Sequence, residues 1–159
     1  MKRIALVLPV LLLATACGGS SNSHSGGSSK AAYLKAAEAI CKKANADQAA
    51  LTFPATAAAF PTYVQSLLDL AQKAAADIEA LSPPAADKAD LQTKVITPLE
   101  GQLTLGKSYL EKIKSAVAGK DQAKLAQLVA NPPKGSKADL AWMRSYGFVE
   151  CVKAADTSG

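Results

Sequence analysis

Apolar side chains recur every three or four residues through most of the chain after Lys30, and this spacing constrains the fold more than any other feature. The first such stripe contains Tyr33, Ala37, Ile40, Cys41, Ala44 and Leu51. A repeat near 3.6 residues is typical of amphipathic helices, whereas a half-buried strand would alternate apolar and polar residues. Alanine makes up about a fifth of the chain, and only 5% of the residues are aromatic. The pattern therefore predicts an all-α fold.

Proline and glycine divide this helical pattern into segments. Two prolines in the stretch TFPATAAAFPT indicate a connection after the first helix. A second helix, at about 62–81, ends at the Ser82-Pro83-Pro84 run, because proline lacks the N–H that a helix interior needs. A third helix, at about 86–118, contains Pro98, which should kink or split it, and it ends at Gly119.

The C-terminal third of the chain predicts a short helix at 121–130 and a longer last helix. Ser136 and Asp139 resemble a capping box at the start of that last helix, with aspartate in the glutamate position. Cys151 lies near its end, or just after it if Gly147 interrupts the helix. We expect an up-and-down four-helix bundle with an extra short helix, and the alternative is a looser helical array.

The first 16 residues have the pattern of a secretory signal peptide. A basic start, Met1-Lys2-Arg3, precedes roughly ten apolar residues at 4–13. As a helix this run would be about 15 Å long, half of the roughly 30 Å hydrocarbon core of a bilayer. Small residues follow it, as they do at signal cleavage sites. We expect residues 1–16 to be removed on export and to take no part in the fold.

The four residues Ala14-Thr15-Ala16-Cys17 resemble the lipobox of bacterial lipoproteins. The resemblance implies that the Cys17 thiol carries diacylglycerol and that Cys17 becomes the first residue of a protein held at the membrane by its lipid. The family usually has leucine three places before the cysteine, where this chain has Ala14. Because Ala14-x-Ala16 also suits ordinary signal peptidase, the alternative is a soluble secreted protein.

The other two cysteines are Cys41 and Cys151. With Cys17 assigned to lipid, they form an even pair in an oxidising compartment, which favours a disulfide. They are not in C-x-x-C spacing, and no histidine lies near either one to make a nucleophile or a zinc site. Two buried free thiols are the alternative.

A polar spacer separates the proposed anchor from the helices. Residues 17–29 comprise Cys17 and the tract GGSSNSHSGGSS, a flexible linker whose last twelve residues span roughly 20 Å. His24, the one histidine of the chain, lies in this tract and is expected to be a solvated spacer residue. The folded domain is then 30–156, a length that suits one domain.

The chain is similar to the small, alanine-rich lipoproteins and secreted proteins of actinobacteria. The similarity lies in AEAICKKANA around Cys41 and MRSYGFVEC before Cys151, together with the lipobox and the Gly/Ser spacer. It implies a disulfide-linked helical bundle displayed outside the cytoplasmic membrane, and it names no biochemical activity.

Catalytic motifs do not emerge from the sequence. The 30–156 segment has no histidine for a Ser-His-Asp site, and neither common phosphate-binding glycine motif is present. Asp77 and Glu79 are two residues apart and would point in different directions on a helix; Glu100 lies near Pro98 and could line a kink. We therefore expect no enzyme, no cofactor and no metal.

A binding role remains, and it is the predicted function. The first candidate is a membrane-anchored module that engages an envelope protein or an anionic envelope polymer; the alternative is a small-ligand or lipid carrier. Loss of Lys2 and Arg3 with the leader would lower the formal net charge from +5 to +3, and nucleic acid is not an expected partner. The lysines of a candidate basic patch are Lys107, Lys112, Lys114, Lys120 and Lys124. The aromatic residues of a candidate carrier pocket are Tyr33, Tyr63, Tyr109, Trp142, Tyr146 and Phe148.

Overall fold

The computed structural model describes residues 27–134 and 138–156, and all of the regular secondary structure in these ranges is helical. The prediction of an all-α fold is confirmed. Cys17, the predicted leader, most of the predicted linker and Ser136 lie outside the described residues. The elements are α1 (Lys30–Ala49), a 3₁₀ turn (Ala57–Ala59), α2 (Phe60–Glu79), α3 (Lys88–Leu91), a π-helical turn (Gln92–Ile96), α4 (Thr97–Ala118), α5 (Gln122–Ala130), α6 (Leu140–Tyr146) and α7 (Glu150–Asp156).

Pro98 perturbs the third predicted helix just before its own position. The π-helical turn joins α3 to α4 without a break in the helical path. Proline cannot donate to the carbonyl four residues earlier, which here belongs to Lys94. That carbonyl instead accepts the backbone N–H of Asp139 at 3.4 Å. The proline thus loosens one helix and leaves an acceptor for the segment that begins α6.

The last predicted helix is two helices, because Gly147 ends the first of them. Gly147 has φ +117°, and the Phe148 N–H donates to the Met143 carbonyl at 2.9 Å. These are the features of a Schellman C-cap. A Cβ atom at Gly147 would also lie 3.0 Å from a methyl carbon of Leu34. Asp139 is the N-cap of α6, where it accepts the Trp142 N–H at 2.9 Å, so its predicted place inside the capping box was wrong.

The helices enclose two apolar cores at opposite ends of α2. The first core contains Tyr33, Ala37 and Cys41 of α1, Ile78 of α2, residues of α3 and the π-helical turn, and the aromatic residues of the C-terminal segment. The second core contains Phe60, Val64 and Leu68 of α2, three residues of α4, and Leu125 of α5. Phe60 and Ile78 are separated by about 27 Å along α2.

The described chain enters the molecule at the first core. Gly27 lies against the backbone of Pro83 and Ala85, and the Ser28 hydroxyl donates to the Ser82 carbonyl at 2.5 Å. Within the described ranges, none of the helices has the length and apolar character required to cross a membrane.

Candidate functional site

Cys41 and Cys151 form a disulfide that joins α1 to α7. Their Cα atoms are 4.9 Å apart, and 110 positions separate them in the sequence. Both residues are buried, so the bond is part of the first core. Closing a loop of this length stabilises the fold by about 4–5 kcal/mol in the chain-entropy description.

Glu38 holds the start of α7 beside this disulfide. Its carboxylate accepts the backbone N–H groups of Val149 at 3.0 Å, Glu150 at 2.7 Å and Cys151 at 3.4 Å. One turn beyond Cys41, the Asn45 side-chain amide donates to the Glu150 carbonyl at 3.0 Å. The carboxylate therefore caps a helix that lies more than a hundred residues away in the sequence. Its oxygens are engaged by backbone donors, which suits a structural role.

The stretches AEAICKKANA and MRSYGFVEC therefore contact each other in the structure. Glu38, Cys41 and Asn45 all lie within AEAICKKANA, and each contacts the end of MRSYGFVEC. The sequence analysis missed Glu38. A usable signal was its place one helical turn before Cys41, on the same face of α1.

The aromatic residues predicted to line a carrier pocket divide between the two cores. Trp142 and Tyr146 stack with ring centroids 4.7 Å apart, and Phe148 lies 5.4 Å from Tyr146 and 6.5 Å from Tyr33. The Tyr146 hydroxyl donates to Asp87 at 2.7 Å. Burial and this hydrogen bond raise the pKa of Tyr146 above its ordinary value. Tyr33, Tyr146 and Phe148 are buried in the first core, and the partly buried Trp142 packs against it.

Lysine ammonium groups cover the outer side of this aromatic stack. The Lys30 Nζ lies 4.0 Å from the centre of the Tyr146 ring, and the Lys94 Nζ lies 4.9 Å from a ring centre of Trp142. Both distances are within the range of cation–π attraction. Lys30 is the first residue of α1, so the start of this helix is held against the first core.

An apolar groove lies at the opposite end of the molecule, between the loop that follows α1 and the helix α5. We call it the loop groove, and its volume is about 420 Å³. Phe53 stands at its edge with 63% of its surface exposed, and Val129 of α5 is 42% exposed. The lining residues are Phe53, Pro54, Ala55, Thr56, Ala57, Phe60, Gln122, Leu125, Ala126, Val129 and Ala130, none of which is charged.

An aromatic cluster supports this groove from below. The Phe53 ring lies edge-on to Phe60 at 5.8 Å and to Tyr63 at 5.4 Å between centroids. Phe60 is itself buried in the second core. The sequence analysis treated the 52–62 segment only as a connection. The phenylalanine that precedes Pro54 in that connection was the available signal for a surface anchor.

A second groove lies on the other side of α5, between α5 and α4. We call it the helix groove, and its volume is about 200 Å³. Tyr109 lines it, and the Tyr109 hydroxyl donates to the Leu128 carbonyl at 3.0 Å. Its lining residues are Leu105, Ser108, Tyr109, Lys112, Leu128, Asn131 and Pro133.

The five lysines of the candidate basic patch are all exposed, but their side chains have different contacts. Lys112 lines the helix groove. Lys114 pairs with Glu111 at 2.9 Å, and the Lys124 Nζ donates to the Gln127 side chain at 3.4 Å. The lysines therefore spread over several sides of α4 and α5, with one of them inside a groove.

Acidic residues in the described ranges do not converge. Asp77 pairs with Lys73 at 2.8 Å, and Glu79 and Glu100 are exposed. Among the residues that the structure describes, no three histidine, cysteine, aspartate or glutamate side chains gather as a metal site would require.

Comparison with known proteins gives no relative for this arrangement: no family model, curated protein or solved structure matches the chain.

Proposed function

We propose that this protein is an exported lipoprotein that binds a partner protein at the surface of the cell membrane. In this proposal residues 1–16 are removed, Cys17 carries the lipid, and the rest of 17–29 is a spacer. The helices of 30–156 form the binding module, with α1, α2, α3–α4 and α6–α7 as its four up-and-down units. Two acyl chains give stable attachment, whereas one gives marginal attachment.

The loop groove is the observation that carries the binding role. Phe53 exposes a large apolar surface in a loop that is otherwise held by the second core. Exposed aromatic anchors beside uncharged grooves are typical of protein-binding surfaces. An anionic envelope polymer would gain little there, because an uncharged groove offers it no ionic partner.

The position of the groove suits a tethered module. The described chain begins at the first core, and the loop groove lies beside the second core. A linker attached at the first end leaves the groove at the far end, about 27 Å further along α2. A partner could then bind without displacing the module from the membrane.

The carrier remains the second candidate, because the same groove has an apolar lining. Sites for small molecules usually bury about 70–90% of their ligand. With Phe53 63% exposed at its edge, the loop groove is an open surface depression and suits a protein side chain better than an enclosed lipid.

Photo-crosslinking in intact cells tests the proposal. A benzophenone amino acid would replace Phe53, and the matched control would carry it at Lys73, whose side chain is 66% exposed on α2. We expect position 53 to form a protein adduct that position 73 does not form. Equal labelling at both positions would contradict the binding role, and a lipid adduct specific to position 53 would favour the carrier.

The mass of the mature protein tests the anchor separately. We expect a species that begins at Cys17 and carries diacylglycerol. A mature protein with an unmodified Cys17 would contradict the lipid anchor and leave the secreted form.

A further inference from the structure

The helix groove has both apolar and polar lining residues, and Lys112 is one of them. Leu105, Ser108 and Lys112 lie at i, i+3 and i+7 on α4, so they share one face of that helix. Leu128 of α5 and Asn131, the residue that ends this helix, line the groove opposite them, and α5 follows α4 after the turn at 119–121. Leu105 is 36% exposed. The groove therefore offers apolar surface along two antiparallel helices.

One lysine lines this groove, and two more lie close to its lining residues along the chain. Lys112 lines it, Lys124 lies one turn before Leu128 on α5, and Lys134 follows the lining residue Pro133. All three lysines are exposed. None of the lining residues is acidic.

The nearest acidic residues in the sequence already have partners. Glu111 pairs with Lys114 at 2.9 Å, on another face of α4. Asp121 is the N-cap of α5 and accepts the Lys124 backbone N–H at 2.8 Å. Neither carboxylate is paired with Lys112 in these contacts. No residue that lines the groove therefore offers a carboxylate to Lys112.

We propose that the helix groove binds an acidic amphipathic helix of a partner protein. Two antiparallel helices present a groove that accepts a third helix, whose apolar residues repeat at i, i+3, i+4 and i+7. Acidic residues beside that stripe would meet Lys112, Lys124 and Lys134. Such charge complementarity governs partner choice and association rate more than affinity.

Two other anionic partners fit the groove less well. A lipid surface is flat on this scale, whereas Leu105 and Leu128 line a depression. An anionic envelope polymer would neutralise the lysines but has no apolar side chains to cover Leu105 and Leu128. The proposal rests on the proposed function, because it names the chemistry of the protein partner and adds a second contact surface beside the loop groove.

Binding of a synthetic helix tests the inference. The probe is a fluorescein-labelled peptide of about 18 residues, long enough to form helix when bound, with leucine at i, i+3, i+4 and i+7 and glutamate between. A matched peptide carries lysine in place of each glutamate. The mature protein would be held in phosphatidylcholine nanodiscs, with empty nanodiscs as the blank. We expect fluorescence anisotropy to show at least about tenfold tighter binding of the acidic peptide.

Two lysine variants on α4 separate the groove from general charge attraction. Lys112→Glu and Lys107→Glu change the net charge equally, but Lys107 is exposed outside the groove lining. We expect Lys112→Glu to weaken the acidic peptide about tenfold and Lys107→Glu to weaken it by less than about twofold. Equal weakening by both variants, or none by Lys112→Glu, would overturn the proposal.

Two further experiments test whether the helix groove binds polyanions or membranes instead of an acidic helix. Poly-glutamate has the charge of the probe without its leucines. If it displaced the peptide at equal charge concentration, the surface would be a general polyanion site. If the protein ignored the peptide and bound phosphatidylglycerol vesicles through Lys112, the surface would bind membrane. Either result would overturn the acidic-helix proposal.

The crosslinker at position 53 keeps this failure distinct from failure of the proposed function. A protein adduct at position 53 together with no peptide binding would retain the binding module and reject the acidic helix. Absence of a specific adduct at position 53 would reject the proposed function itself.

Discussion

Replacing Glu38 by alanine should loosen α7 and lower the stability of the whole domain. The variant removes one carboxylate that accepts three backbone N–H groups at 2.7–3.4 Å. Helix N-cap replacements cost about 0.5–2 kcal/mol, and a negative charge at a helix N-terminus adds about 0.3–1 kcal/mol. Val149 is 57% exposed, so water can replace part of the loss. We expect a decrease of about 2 kcal/mol in the free energy of unfolding.

Thermal unfolding of the oxidised protein measures this effect. For a domain of this size, about 2 kcal/mol corresponds to a decrease of roughly 6–10 °C in Tm. Glu79→Ala is the matched control, because it removes an exposed carboxylate at the last residue of α2. A negative charge at that end is unfavourable to the helix dipole, so the control should leave Tm unchanged or slightly raised. Glu38→Gln, which keeps one acceptor oxygen without the charge, should show about half of the loss.

Hydrogen exchange locates the effect. In Glu38→Ala the backbone amides of residues 149–151 should exchange faster, because they lose their acceptor, while those in the middle of α2 should keep their relative protection. If Glu38→Ala and Glu79→Ala gave the same Tm, or if these three amides kept their protection, the capping role of Glu38 would be refuted.

Two further predictions concern Gly147 and Tyr146. Gly147→Ala should destabilise the protein by about 1–3 kcal/mol, because alanine is strained at φ +117°. Gly101→Ala, where an added Cβ meets open space, should stabilise α4 by about 0.5–1 kcal/mol. Urea unfolding that showed Gly147→Ala to be the more stable of the two variants would contradict the reasoning. The raised pKa of Tyr146 favours the neutral phenol in the folded state. The stability that depends on this group is therefore complete below the unfolded-state pKa of about 10 and is lost as the pH rises above it. Tyr146→Phe removes the hydrogen bond to Asp87 and should lower stability by about 1 kcal/mol at neutral pH. Its unfolding free energy should then fall less than that of the parent protein between pH 9 and 11, as monitored by urea unfolding, and parallel curves would count against the Tyr146 contribution.

The helical class and most helix limits were predictable, because short-range chemistry decides them. The stripe through Tyr33, Ala37 and Cys41 faces the first core as its spacing predicts, and Gly119 ends α4. Pro98 acts within one turn of its own position. Such effects depend on backbone donors, acceptors and φ preferences within about four residues, which a sequence displays directly.

The candidate site was less predictable. The disulfide between Cys41 and Cys151 was predicted because two cysteines remain in an oxidising compartment once Cys17 is assigned to lipid. The structure has that bond. The candidate pocket aromatics, by contrast, pack into two cores, and the loop groove uses Phe53, which no periodic pattern marks. An apolar side chain has no intrinsic preference between core and surface groove. Its place depends on whether neighbouring helices have already filled the core.

The alanine-rich helical domain was predictable along the chain, because local composition and spacing indicate helices. The export leader, the lipid-bearing cysteine at its end and the polar spacer are predictions from the same kind of local pattern. Three other features are visible only in the tertiary structure. They are the cap that Glu38 provides to α7, the separation of two cores along α2 and the grooves on both sides of α5. Their contacts join residues from distant parts of the chain, and the free energy that selects such contacts comes from packing all the helices together.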